Sequence, residues 1–153
     1  MRKIGKGELW CVGQFSNEAV IKEVTVESGL FRYIQGSSGL NMGKTGRVTV
    51  KSGAVFYSSG GSTTLGTGGL VIAVEKGGIF KAYCGGYNYP NTIDHLEGEG
   101  TVEQAGSHDY GLKIKGTTAG EAFSGNFSGN VQVQFMPSDN PVIIGGTETL
   151  STL

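Results

Sequence analysis

The sequence predicts an all-β fold: a right-handed, single-stranded parallel β-helix (β-solenoid) of roughly six coils, with a 24-residue period in its first half. Three observations carry that expectation. Val24-Thr25-Val26-Glu27-Ser28-Gly29, Val48-Thr49-Val50-Lys51-Ser52-Gly53 and Ile72-Ala73-Val74-Glu75-Lys76-Gly77 repeat one pattern at a 24-residue interval. The chain holds 28 glycines, where average usage of about 7% predicts about 11. They punctuate runs of Val, Ile, Phe and Tyr, as tight turns between short strands do. No window shows a helical apolar period with caps, so helix is not expected. A β-sandwich fits less well, because its hairpins favour Asn-Gly turns and no Asn-Gly occurs.

Residues 1–20 fit the repeat poorly and read as an N-terminal cap or opening strand, with Leu9, Cys11, Val12, Phe15 and Val20 as its apolar side chains. A cap has a physical purpose, since an open sheet edge invites pairing with another chain. From 21 to 153 the chain reads as β-helix, regular over 21–86. In each regular coil an alternating strand turns Val24/Val26, Val48/Val50 or Ile72/Val74 one way, and Thr25, Thr49 or Ala73 the other. The closing glycine stands where the chain must bend, at positive φ. A second strand follows: Leu30-Phe31-Arg32-Tyr33, Ala54-Val55-Phe56-Tyr57 and Gly78-Ile79-Phe80-Lys81. Phe31, Val55 and Ile79 form its consistently apolar column. Phe56 and Phe80 fall one residue further on, against Arg32, so the inward parity of this strand stays open. Residues 87–95 read as a protruding loop. Residues 96–153 read as irregular coils, with strands at 96–102, 112–115, 131–135 and 142–144 and a doublet, Phe123-Ser124-Gly125-Asn126 and Phe127-Ser128-Gly129-Asn130, among them.

Glu27, Lys51 and Glu75 alternate in sign at the same interval. Stacked coils would set them about 4.8 Å apart, where opposite charges attract by a few tenths of a kcal/mol. The column therefore checks the register rather than the stability. Elsewhere charge is sparse and nearly balanced, with a net −1, which leaves no electrostatic footprint for nucleic acid or an anionic membrane. No apolar run approaches the roughly 20 residues of a membrane-spanning helix. Met1-Arg2-Lys3-Ile4-Gly5-Lys6-Gly7 is charged, but no apolar stretch follows it, so no signal peptide is read in this chain. Thr149-Leu150-Ser151-Thr152-Leu153 stops within a strand-like pattern, and the chain reads as a fragment. Cys11 and Cys84 make neither a disulfide framework nor a metal motif, and read as small buried side chains.

Ser52-Gly53-Ala54-Val55-Phe56-Tyr57-Ser58-Ser59-Gly60-Gly61-Ser62-Thr63-Thr64 resembles the strand-loop-strand repeats of autotransporter passenger domains of the AIDA adhesin type. The 123–129 doublet and Val142-Ile143-Ile144-Gly145-Gly146-Thr147 resemble the passenger stems that precede a membrane barrel, and together these matches span about two thirds of the chain. The resemblance implies a β-helix on a bacterial cell surface or in the extracellular space, serving adhesion, self-association or presentation. It implies a host or cell-surface glycan or protein as partner, and sugars carried on Ser58, Ser59 and Ser62. The chain departs from the family in having no signal peptide and no barrel strands.

Tyr83, Tyr87, Asn88, Tyr89 and Asn91 are the candidate binding residues, since loop aromatics beside amide donors suit a sugar ring. His95 beside Asp94 and His108 beside Asp109 read as surface polar groups, because neighbours in a strand point to opposite faces. Asp94, Glu97, Glu99 and Glu103 are the candidates for a carboxylate pair, with Glu97 and Glu99 on one face of an extended strand. No Arg or Lys lies in that segment to stabilise developing charge. The glycine stretches at 43–45 and 66–69 lack the helix and the Gly-Lys-Ser/Thr tail of a phosphate loop. No catalytic residue, cofactor or metal is therefore assigned. The expected role is a non-catalytic surface scaffold. A self-assembling filament subunit and a viral tail-fibre β-helix stand as alternatives, and a polysaccharide-active enzyme ranks below them.

Overall fold

Short β-branched and aromatic runs closed by glycine can bury a face only by stacking on copies of themselves, and this chain does so. The computed structural model describes residues 1–12, 22–35, 46–60, 70–83, 91–106, 110–116, 120–129 and 131–135. In chain order the strands are β1 (Arg2–Lys3), β2 (Glu8–Val12), β3 (Glu23–Val26), β4 (Gly29–Gln35), β5 (Arg47–Val50), β6 (Ala54–Gly60) and β7 (Val71–Val74). They continue with β8 (Ile79–Tyr83), β9 (Asn91–Ile93), β10 (His95–Gly98), β11 (Thr101–Ala105), β12 (Tyr110–Ile114), β13 (Asn126–Ser128) and β14 (Gln132–Phe135). A first sheet runs β1-β3-β5-β7-β10, a second β2-β4-β6-β8-β11-β13, and a third β9-β12-β14. Every pairing within these sheets is parallel. The result is a parallel β-solenoid of about four turns, counted from the first to the last strand of the first sheet, with no helix among the described residues.

The first sheet keeps the 24-residue interval. Val24 lies opposite Val48, Val48 opposite Ile72 and Ile72 opposite Leu96, all of them buried. Glycines 29, 53 and 77 take positive φ of 71°, 74° and 81°, as the bend requires. The interval extends one coil further than the obvious pattern, because β10 pairs with β7 in the same register. Gly98 closes that coil at φ 97°, where a Cβ would stand 2.3 Å from the Val74 carbonyl oxygen.

The second sheet departs from the interval by one residue. Phe31 faces Phe56, not Val55, and Phe56 faces Phe80. A one-residue slip exchanges the two faces of a strand, so the choice lay between burying Val55 and Ile79 or burying two phenylalanines. The larger aromatic surface goes inside. Phe31, Phe56 and Phe80 stack with centroids 5.7 and 5.6 Å apart and interplanar angles of 21° and 15°. Val55 and Ile79 turn outward, half-buried.

Residues 1–12, the described part of the segment expected as a cap or opening strand, form an opening rung, with β1 on β3 and β2 on β4. The Lys3 ammonium, buried, donates to the carbonyls of Ile4, Gly5 and Ser28 and so ties that rung's turn to the next. The loop expected through residue 95 ends before Asn91, because β9 and β10 are strands whose side chains are buried. The single strand expected at 96–102 is two, β10 and β11, separated by a bend at Glu99 and Gly100. The charge column pairs as an alternating stack: Lys51 bridges to Glu75, while Glu27 accepts from Arg2 at 2.5 Å. Both pairs are well exposed and contribute about 1 kcal/mol or less. The strand expected at 142–144, and Phe15 and Val20, lie outside the described residues.

Replacing the central ring of the ladder by Phe56→Ala is expected to destabilise the fold by about 3–5 kcal/mol, read as a lowered urea midpoint. A second expectation concerns alkali. Burial, and secondarily the nearby Cys11 thiol, push the Tyr33 phenol from 10 up to about 12. Below pH 10 it is protonated in both states, so its contribution is complete. From 10 to 12 only the unfolded chain releases the proton, so stability falls as pH rises. Subtracting the urea midpoints of Tyr33→Phe from those of the native chain across that window isolates the effect.

Candidate functional site

On the outer face of the first sheet the short side chains of β7 give way to ionisable ones on β10. His95 lies opposite Val71, and Glu97 opposite Ala73. Leu96 between them points into the core. Arg47 of β5 lies opposite Val71 on the other side. Its Nη2 reaches Glu97 Oε2 at 2.6 Å, passing over β7. Two strand spacings, about 10 Å, separate those backbones, and only side chains as short as Val71 and Ala73 leave the path clear.

Residues 120–122 close over this cluster. The Glu121 amide donates to Glu97 Oε1 at 3.2 Å, and the Gly98 amide donates to the Ala122 carbonyl at 3.1 Å. His95 Nε2 lies 2.8 Å from the Glu121 carbonyl. A carbonyl only accepts, so Nε2 donates this bond, and Nδ1 is buried without a hydrogen-bond partner. Gly120 allows the close approach: a Cβ there would stand 2.2 Å from His95 Cδ2 and 2.6 Å from Glu97 Oε1.

Asp94 and His95, expected at the surface, are buried, at 2% and 1% exposure. For His95 the reason is the covering segment, which parity along one strand does not reveal. The basic partner thought missing near Glu97 comes from β5, two coils earlier. The candidate carboxylates do not pair: Glu99 is exposed in the bend after β10, and Glu103 bridges to Lys81 at 3.2 Å on the second sheet. Glu97 has both oxygens engaged by Arg47 and the Glu121 amide. This arrangement fastens 120–122 to the first sheet. Its hydrogen bonds occupy His95 Nε2 and both Glu97 oxygens.

The expected binding residues separate. Tyr83 ends β8 half-buried, its ring edge-on to Tyr57 with centroids 6.2 Å apart. Asn91 is buried; its Nδ2 donates to the Tyr83 carbonyl, and its Oδ1 accepts from Ser58 Oγ at 2.6 Å. Ser58 and Asn91 thus satisfy each other inside the solenoid. Ser58 is not at a surface where a sugar could be carried, and Asn91 is not free to meet a ligand. Tyr87, Asn88, Tyr89, Ser62, Cys84, His108, Asp109, the Ser59 side chain and the glycine stretches 43–45 and 66–69 lie outside the described residues. Cys11 is an unpaired thiol, half-buried, and desolvation pushes its pKa up. Among the described residues no three His, Cys, Asp or Glu side chains converge as a metal site.

The Arg47–Glu97 pair was readable in principle. Glu23, Arg47, Val71 and His95 recur at 24 residues, as do Thr25, Thr49, Ala73 and Glu97, so the repeat itself brings the charged positions together on one face. No protein-family model, curated protein or solved structure matches the chain.

Glu97→Gln is expected to cost about 1–3 kcal/mol by weakening charge-assisted bonds to Arg47 and the Glu121 amide. The local readout is hydrogen exchange, with the Glu121 and Gly98 amides exchanging faster while those of β5 and β7 hold.

Proposed function

We propose that this chain is a non-catalytic, right-handed β-helical scaffold, secreted or displayed on a bacterial surface as part of an autotransporter-like adhesin, and that it works by adhesion or self-association. The observation that supports the reading best is the closed state of its ionisable cluster. Among the described residues, the histidine and the buried glutamate that come together, His95 and Glu97, are spent on holding residues 120–122. What remains for function is a stack of rungs whose outer faces are available for contact. The right-handed sense is the one that strand twist favours for parallel crossovers, and the 52–64 segment with its single Ser59-Gly60-Gly61 stretch supplies the likeness to surface passengers. No helix is long and apolar enough to cross a membrane among the described residues. A second reading, a subunit that joins end to end, has its own support. Among the described residues the exposed large apolar side chains are Met1, Ile4, Leu9 and Trp10 in the first rung and Phe135 in the last described strand, at either end of the described stack.

Two measurements distinguish these roles. Bacteria displaying the chain are expected to adhere to host-cell layers or to one another more than bacteria displaying Phe56→Ala, and equal adhesion overturns the scaffold reading. In sedimentation velocity, end-to-end joining requires a mass that grows with concentration and a Leu9→Lys variant that stays small; a constant monomer retires it.

A further inference from the structure

The outer face of the second sheet carries a feature that neither the core nor the closed cluster uses. Register places Trp10, Arg32, Tyr57, Lys81 and Glu103 in one outward column on successive strands. The Arg32 guanidinium lies between two rings, with Cζ 4.9 Å from the Trp10 centroid and 4.3 Å from that of Tyr57. Both of its faces are therefore covered, and its Nε is buried without a partner. A guanidinium held this way has lost its rotational freedom and presents a fixed planar fork.

The charges around it are otherwise engaged. Lys81 and Glu103 bridge to each other, and Glu8 accepts from Trp10 Nε1 at 2.7 Å, which orients the indole. Arg32 makes no ion pair with any described residue. It is a pre-organised cation on a solvent-facing sheet, with no carboxylate of a described residue paired to it. The geometry that completes it is a carboxylate bridging the terminal nitrogens in bidentate fashion. Beside it, Trp10 is 53% exposed. Because β2 is the outermost strand of this sheet, the ring face turned away from Arg32 has no described strand against it. An open indole face is an apolar platform suited to the C–H face of a sugar ring. An acidic peptide would satisfy the cation but make no particular use of that platform.

We propose that this face binds an acidic oligosaccharide, with one ring stacked on Trp10 and the carboxylate of a neighbouring ring held by Arg32. The site is distinct from the loop tyrosines expected from sequence. It belongs to the folded chain itself, whether or not that chain is displayed on a cell.

Trp10 is the only tryptophan, so its emission reports the site directly. Titrating the purified chain with oligogalacturonate is expected to change that emission saturably, and added salt to weaken the effect. Arg32→Gln is expected to lower the affinity roughly tenfold, the loss of a charge-assisted pair. Arg32→Lys, which keeps the charge but not the fork, should weaken binding as well. Native urea midpoints for both variants establish that the fold persists; if Arg32→Gln does not fold, Arg32→Lys carries the comparison. Neutral galacto-oligosaccharide should not bind comparably. Absence of any response to oligogalacturonate overturns the proposal, as does unchanged affinity in a folded Arg32 variant. Oligoglutamate binding as tightly as oligogalacturonate also overturns it, because the site would then select an anion and not a saccharide.

Discussion

The backbone ladder between successive coils holds neighbouring strands about 4.8 Å apart, and the rest of this structure depends on which residues that ladder sets opposite one another. With parallel strands and side chains alternating in and out, each register choice commits a whole column to the interior. In the first sheet the choice follows the 24-residue interval and stacks Val and Ile under Leu96. In the second it shifts by one residue, from Phe31–Val55 to Phe31–Phe56, and a column of phenylalanine rings results. Only a glycine-bounded turn lets adjacent strands of one coil keep different intervals. Turn chemistry and core composition are in this sense one decision.

The two outer faces are used differently. Over β7 and β10 the first sheet is covered by residues 120–122, and burial there puts a cost on each polar group left unanswered. Glu97 is answered twice and His95 once, and the closeness of that cover depends on Gly120 having no side chain. The second sheet keeps its outer column in solvent, where aromatic rings and cations organise one another without a cover. One face is closed with charge-assisted bonds, while the other remains open for contact.

Much of the fold was legible in the sequence. The parallel stack, the first-sheet columns, the positive-φ glycines and the Lys51–Glu75 pairing follow from period and parity. The second-sheet register was not legible, because a single extra residue in a turn leaves the repeat at 24 while moving the strand that follows it. Tertiary burial decides such a slip, and Arg32 beside Phe56 in a naive alignment conceals it. The polar sites were less legible still. His95 reads as a surface group and Glu97 as half of a carboxylate pair because what buries them arrives a full coil later, and Asn91 reads as a loop donor because its partners, Ser58 and the Tyr83 carbonyl, belong to other strands. Local sequence reports which way a side chain points, but not what will be laid over it.

The Arg47–Glu97 bridge changes how such a stack comes apart. In repeat architectures each coil is coupled to its neighbours, so melting usually proceeds inward from an end, one rung at a time. This bridge skips a rung, joining β5 to β10 above β7. Detaching β10 therefore also strips β5 of a partner, and β7 cannot fray independently of the strands on either side of it. The bridge thus ties the middle coils to one another through an ion pair seated outside the apolar core.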